Sequence, residues 1–309
     1  MAVLSEWLAM DDGVDIHLKS WKGEDRAPKA VLHLVHGMAE HIERYDHFAK
    51  FLVGKGFVVY GNDHRGHGLT GERTGTLGFF ADENGFDRVV NDLYSINRVI
   101  QAENPAIPIF LLGHSLGSFL VRRYIQCYSE TVQGVILSGT RGNPGLAGKI
   151  GKLIAKIEVR TKGAKAPSPL LNRLSFGAFN KGIDLPRTEF DWLTRNNIVV
   201  DDYIQDPLCG FICSSGFFLD LFSGLEKIHD SEKINKIRKN LPILIFSGEK
   251  DPVGDNLSGV KKVISQYKQN GLLNLETYFF ENARHEMLNE LNREEVYDFV
   301  HHWLIKQIN

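Results

Sequence analysis

Several short stretches of the chain are apolar continuously rather than in alternation, and each ends on Gly, Asn or Asp. They are 30–37 (AVLHLVHG), 57–63 (FVVYGND), 107–115 (IPIFLLGHS), 134–139 (GVILSG) and 241–251 (LPILIFSGEKD). Unbroken apolarity is what a strand needs when both of its faces are covered. Segments of helical period lie between them. In 83–103, Phe86, Val89, Val90, Leu93, Ile96, Val99 and Ile100 share one face, with Asp87, Arg88 and Asp92 elsewhere. The pattern predicts an α/β fold: a mostly parallel central sheet flanked by helices. A last strand is expected at 273–280 (LNLETYFF), and a closing helix at 293–308 with Val296, Phe299, Val300, Trp303 and Leu304 inward. One interval breaks the rhythm. About a hundred residues, 139–240, separate two strands that an ordinary crossover would join in far fewer. The chain is therefore divided into a core, 1–138 with 241–309, and an inserted region, 139–240, containing a helical cap.

Composition narrows the function classes. With 309 residues and 43% hydrophobic content the chain can bury a large core. A formal net charge of −2, with cations and acids interspersed, gives no support to nucleic-acid binding. The start, MAVLSEWLAMDDG, lacks a basic end followed by an apolar run, and no later stretch has the length of a membrane span, so a cytoplasmic location is expected. Cys127, Cys209 and Cys213 do not imply a disulfide framework. Cys209 and Cys213 lie four apart without histidines at ligand spacing, so they read as buried thiols; no metal and no cofactor is expected.

The chemistry concentrates at the ends of the expected strands. In IFLLGHSLGSFL, 109–120, a Gly-His-Ser-Leu-Gly turn stands between a buried strand and a helix. Gly113 and Gly117 leave room for a tight turn that carries Ser115 clear of the sheet, and the N–H of Leu116, unpaired at the helix start, points at the same space. A serine hydroxyl needs a histidine to take its proton and an acid to orient that histidine. Asp251 follows the strand in FSGEKDPVG, with Asp255 as the nearest substitute, and His285 follows the last strand in ENARHEML. The order Ser, Asp, His is that of an α/β-hydrolase. A second oxyanion donor is expected in HGMAEH, where Gly37 permits a bend and Met38 offers its backbone N–H. His36 reads as a hydrogen-bonded structural group, and His114 as a support turned away from the serine.

Together HGMAEHIERY, NDHRGHGLTG, GHSLG, GEKDPVG and ARHE resemble the monoacylglycerol lipase and lysophospholipase branch of the α/β-hydrolases, the serine aminopeptidase-type hydrolases. The resemblance spans nearly the whole chain and is weakest in the cap. It implies Ser115 as nucleophile, Asp251 and His285 as its partners, Met38 and Leu116 as backbone oxyanion donors, and Glu40, Arg44 and Tyr203 near the head-group end of the pocket. Glu40 and Arg44, four apart, can also simply pair with each other. Two positions depart from the pattern: Thr70 stands where serine is usual, and Ala39 where glycine is frequent.

In the inserted region, GLAGKIGKLIAKIEVRTKGAK sets Leu146, Ile150, Leu153, Ile154 and Ile157 on one helical face and Lys149, Lys152, Lys156 and Arg160 on the others. Such a helix either lies on an anionic membrane or micelle surface, or packs on the core with its lysines solvated. The expected activity is cofactor-free hydrolysis of a small acyl ester of monoacylglycerol or lysophospholipid type, through an acyl-enzyme. The alternatives are a small-ester carboxylesterase, a serine aminopeptidase that holds the substrate amine with Asp201, Asp202 or Asp206, and a catalytically dead ligand-binding fold.

Overall fold

The structure, a computed structural model, describes residues 1–23 and 27–308. Among these residues one sheet is built from β1 (Ala2–Ala9), β2 (Asp15–Lys22), β3 (Val31–Val35), β4 (Val58–Asn62), β5 (Ile109–His114), β6 (Gly134–Ser138), β7 (Ile243–Gly248) and β8 (Leu275–Phe280). The spatial order is β1-β2-β4-β3-β5-β6-β7-β8. Strands β4 to β8 and β3 run parallel, while β1 pairs antiparallel with β2 and β2 with β4.

The two-sided burial expected of the apolar runs follows from strand geometry, because successive side chains point to opposite faces. Leu111, Val135, Leu137, Ile243 and Ile245 pack with one layer of helices. Their neighbours Phe110, Leu112, Ile136, Leu244 and Phe246 pack with the other. Phe86, Val89 and Leu93 of the helix Gly85–Glu103, with Leu120 and Tyr124 of Leu116–Tyr128, cover the first face. Phe48 and Leu52 of Asp46–Gly54, with Val296, Val300 and Leu304 of Arg293–Ile308, cover the second. Asp92 departs from its expected place on the polar side of its helix: it is buried and takes Nε and Nη2 of Arg65 on its two oxygens, at 2.6 and 2.9 Å.

The hairpin of β1 and β2 has no counterpart among the strands expected from sequence. Strand β1 is exposed along most of its length, so it carries no apolar run, and β2 alternates rather than running apolar. The sheet reverses its winding at β3, which has β4 on one side and β5 on the other. That is the switch point, where the crevice beyond the carboxyl ends of the strands is open to a ligand.

The stretch 139–240 is helical, with Gly145–Lys162, Pro169–Phe176, Asn197–Gln205 and Ser215–Ile228 its longer pieces. Packing divides it. Phe217, Phe218, Leu221, Leu225 and Ile228 of the last helix join the buried cluster of the sheet. Of the earlier helices, Gly145–Lys162 and Pro169–Phe176 reach it with one fully buried residue each, Ala155 and Leu171. On Gly145–Lys162 the buried side is Gly148, Gly151, Ala155 and Glu158, and a ring of Phe222 sits against Gly151. Leu146, Ile150, Leu153 and Ile157 are all more than half exposed.

Candidate active site

Ser115 follows β5 at φ 52°, ψ −118°, a conformation that L-residues rarely adopt and that an over-determined turn must hold. The two glycines make the turn possible. A Cβ at Gly113 would stand 2.4 Å from the Gly117 carbonyl oxygen, and one at Gly117 would stand 1.9 Å from that of Val35. The Ser115 N–H donates to the Ser138 carbonyl at 2.9 Å, tying the serine to the end of β6. Leu116 opens the following helix, so its N–H has no acceptor in the preceding turn.

Asp251 and His285 are both buried, and His285 Nδ1 lies 2.9 Å from Asp251 Oδ1. The Val253 N–H also donates to Oδ1, and the Ser247 hydroxyl to Oδ2. Since the carboxylate accepts, Nδ1 carries the proton and Nε2 is left unprotonated, able to accept one. Burial opposes the charge on Asp251, but His285 and these donors more than offset it and hold the carboxyl below its ordinary value. On His285 burial disfavours the imidazolium, while the charge and hydrogen bond of Asp251, with Glu286 and Glu40 beyond, outweigh it and raise the ring above its ordinary value.

The ring lies beside the serine turn. A Cβ on Gly139, the residue after Ser138, would be 2.8 Å from His285 Cε1. Ser115 and His285 line one cavity with Gly37, Met38 and Glu40. Among the described residues Ser115 Oγ has no hydrogen-bond partner, so its bond to His285 is not formed in this conformation; such bonds often tighten only with substrate. Asp255 is exposed in the loop beyond and does not make the bond to His285 that Asp251 makes.

The loop after β3 completes the cavity. The His64 N–H donates to His36 Nε2 at 3.1 Å, so the His36 proton is on Nδ1, which donates to the Gly37 carbonyl at 2.8 Å. That carbonyl belongs to the same peptide as the Met38 N–H, which in a trans peptide points the opposite way. His36 thus orients the donor expected of Met38, and burial together with His67 keeps its ring neutral. Ala39 sits at φ 52°, which explains why glycine is frequent there. Thr70 is buried and its hydroxyl is fully used, donating to the Asp63 carbonyl and accepting from the His17 N–H.

Similarity to known proteins agrees with this geometry. The model of the serine aminopeptidase S33 family matches residues 26–292. The chain belongs to this family and is a serine hydrolase. It is 30% identical over 288 residues to the monoglyceride lipase of Mus musculus, covering 91% of this chain and 82% of that one. It is 26% identical over 301 residues to a monoacylglycerol lipase of Mycolicibacterium smegmatis, covering 96% and 95%. A thermostable carboxyl esterase from Bacillus coagulans, solved with glycerol, superposes over the full length of both chains with a TM-score of 0.92 at 27% identity.

In this S33 hydrolase several neighbours of the cavity escaped the sequence reading. His114 does not turn away from the site: its ring lies 4.6 Å from that of His285, and burial, with the charge of His285, pushes it down to about 3. Trp192, from the inserted region, also meets His285, the two rings tilted with centroids 5.3 Å apart. Trp192 is one of many aromatics in the inserted region, either gluing cap to body or lining an acyl tunnel, but nothing in the sequence pairs it with His285. Glu286 had a signal in its position beside His285. Cys209 and Cys213 are buried free thiols, while Cys127 is exposed. Cys209 does approach His41 and Asp206 at ligand spacing. There His41 Nε2 already bonds Asp206 at 2.8 Å, the Leu208 N–H takes the other oxygen, and burial raises the thiol so that it stays protonated.

Proposed function

We propose that the chain hydrolyses carboxylic esters of monoacylglycerol or lysophospholipid type through an acyl-enzyme on Ser115. Ser115 Oγ attacks the ester carbonyl as His285 Nε2 takes its proton, and Asp251 holds the ring and stabilises its positive charge. The N–H groups of Met38 and Leu116 receive the oxyanion. His285 then protonates the leaving alcohol, and water, activated by the same ring, releases the fatty acid. The observation that carries this reading is the buried Asp251–His285 pair at the cavity that also holds Ser115 in its strained turn.

The substrate class rests on the monoglyceride lipase relatives, on the glycerol bound by the esterase neighbour, and on the cavity itself. The cavity is about 60 Å³, below the several hundred typical of small-molecule sites. Phe176, Trp192 and Phe211 from the inserted region roof it with apolar surface. An acyl chain enters when this roof opens. The exposed row Leu146, Ile150, Leu153 and Ile157, flanked by Lys149, Lys156 and Arg160, would bring that roof to an anionic lipid surface. The aminopeptidase reading finds none of its three acids on the cavity: Asp201 pairs with Arg187, Asp206 with His41, and neither they nor Asp202 line it.

Turnover of a monoacylglycerol should exceed that of an amino-acyl arylamide by at least about a hundredfold in kcat/KM, on the order of 3 kcal/mol of transition-state preference. Faster turnover of the arylamide would overturn the proposed substrate class.

A further inference from the structure

Glu40 and Arg44, expected at the head-group end of the pocket, are occupied with each other and with Glu286. Arg44 Nη1 donates to Glu40 Oε2 at 2.6 Å and to Glu286 Oε1 at 2.7 Å, and Nη2 donates to Glu286 Oε2 at 2.7 Å. All three side chains are at least nine-tenths buried. The other oxygen of Glu40 accepts the Gly37 N–H at 2.5 Å and the Tyr45 hydroxyl at 2.9 Å. The far face of the guanidinium lies 4.8 Å from the Tyr203 ring, and the Tyr203 hydroxyl donates to the Ala39 carbonyl at 2.9 Å. The Gly210 N–H donates to that same carbonyl.

Glu40 therefore closes the Gly37–Glu40 bend on itself, around the Met38 peptide. Glu286 is the residue after His285, and its own N–H is held by the Leu193 carbonyl at 2.7 Å. One guanidinium fork spans the two. From this geometry we infer that Arg44 is a positioning residue, fixing the oxyanion loop and the histidine loop in one register, and that Glu40, Glu286 and Tyr203 serve this clamp rather than the substrate head group.

Charge agrees with the geometry. Burial would raise the Glu286 carboxyl, but the charge and the bidentate bonds of Arg44 hold it well down. Glu40, with burial and the Glu286 charge against it, is displaced upward. Each carboxylate already accepts three bonds, Glu40 from Arg44, Gly37 and Tyr45 and Glu286 twice from Arg44 and once from Asn289, so little acceptor capacity is left for a glycerol hydroxyl. A fork is needed to hold both carboxylates, which a lysine cannot supply. Small displacements of donors and base cost rate without weakening ground-state binding.

The inference rests on Ser115 as the nucleophile. The test compares Arg44→Lys, Glu286→Gln, the double variant and Tyr203→Phe on a monoacylglycerol and on a methyl ester of the same fatty acid. Arg44→Lys and Glu286→Gln should each lower kcat about ten- to a hundredfold on both esters with KM within about twofold, and the double variant should be no worse than the worse single one. Tyr203→Phe, which keeps the ring against Arg44 and deletes only the hydroxyl bond to the Ala39 carbonyl of the oxyanion loop, should lower kcat by a smaller factor at unchanged KM. A rise in KM confined to the glycerol ester, losses that multiply in the double variant, or wild-type kcat in Tyr203→Phe would each overturn the clamp. Stoichiometric but slowed fluorophosphonate labelling of Arg44→Lys supports both claims. Labelling at the wild-type rate overturns the clamp alone, and labelling that survives Ser115→Ala overturns the nucleophile.

Discussion

The reacting groups depend on residues that tolerate little change. At Gly117 an added Cβ meets the Val35 carbonyl oxygen, a backbone atom between two buried strands, and Gly117→Ala is expected to leave little folded protein in a solubility assay. Ala39 is the opposite case: its left-handed conformation suits glycine better, so Ala39→Gly should stabilise the fold by about 1 kcal/mol, read as a shift in denaturant midpoint. At Asp251 the expectation concerns rate and pH together. In the proposed mechanism His285 serves as base only when neutral, and the Asp251 charge keeps it above its ordinary value of 6.5. Activity should therefore fall as pH drops through a limb lying above 6.5. In Asp251→Asn kcat should drop on the order of 10⁴-fold and the limb should move to lower pH, measured as a kcat/KM profile.

Among the elements, the helix Gly145–Lys162 carries the clearest consequence. Its small residues and Ile154 face the body while Leu146, Ile150, Leu153 and Ile157 face out, so the Leu153→Glu and Ile157→Glu changes should leave thermal stability within about 0.5 kcal/mol while reducing cosedimentation with anionic vesicles severalfold. Undiminished vesicle binding would rule out this face. Gly151→Leu should instead lower the melting temperature, because the Phe222 ring occupies the space. The sequence showed the amphipathic period of this helix but not which side packs, since Gly148, Gly151 and Ala155 contribute almost no hydrophobic signal while letting two helices approach closely. The helix Ser215–Ile228 reads as part of the same long insertion for a related reason. Spacing between strands measures chain length, and only packing reveals that its phenylalanines complete the body.

For the whole molecule, the parallel sheet and the places of Ser115, Asp251 and His285 were legible because burial on two faces leaves continuous apolar runs and chemistry sits where those runs stop. The β1–β2 hairpin was not, since an exposed edge strand is under no such demand. Nor were contacts made across distant segments, such as Trp192 on His285 or Arg65 on Asp92. A further property belongs only to the assembled core. His33, His36, His64, His67, His114 and His229 are driven down by burial, with His33 and His67 to about 4 and His114 and His229 to about 3. Between these values and 6.5 the unfolded chain binds protons that the folded one refuses, so stability is lost as pH falls through that window. His285, raised, contributes in the opposite sense, losing its stabilisation as pH rises through its folded value. The balance predicts a denaturant midpoint that declines steadily from pH 7 to pH 4.5. A flat profile would mean these rings are not held neutral.

The proposed chemistry requires one hydroxyl to become acylated at the rim of the sheet. Intact-mass and peptide mapping after brief mixing with an activated acyl ester, quenched in acid, tests this directly. The account predicts one acyl group per chain, on the peptide containing Ser115, with its rate of formation falling as His285 is protonated. An adduct on another residue, or undiminished acylation of Ser115→Ala, would contradict it.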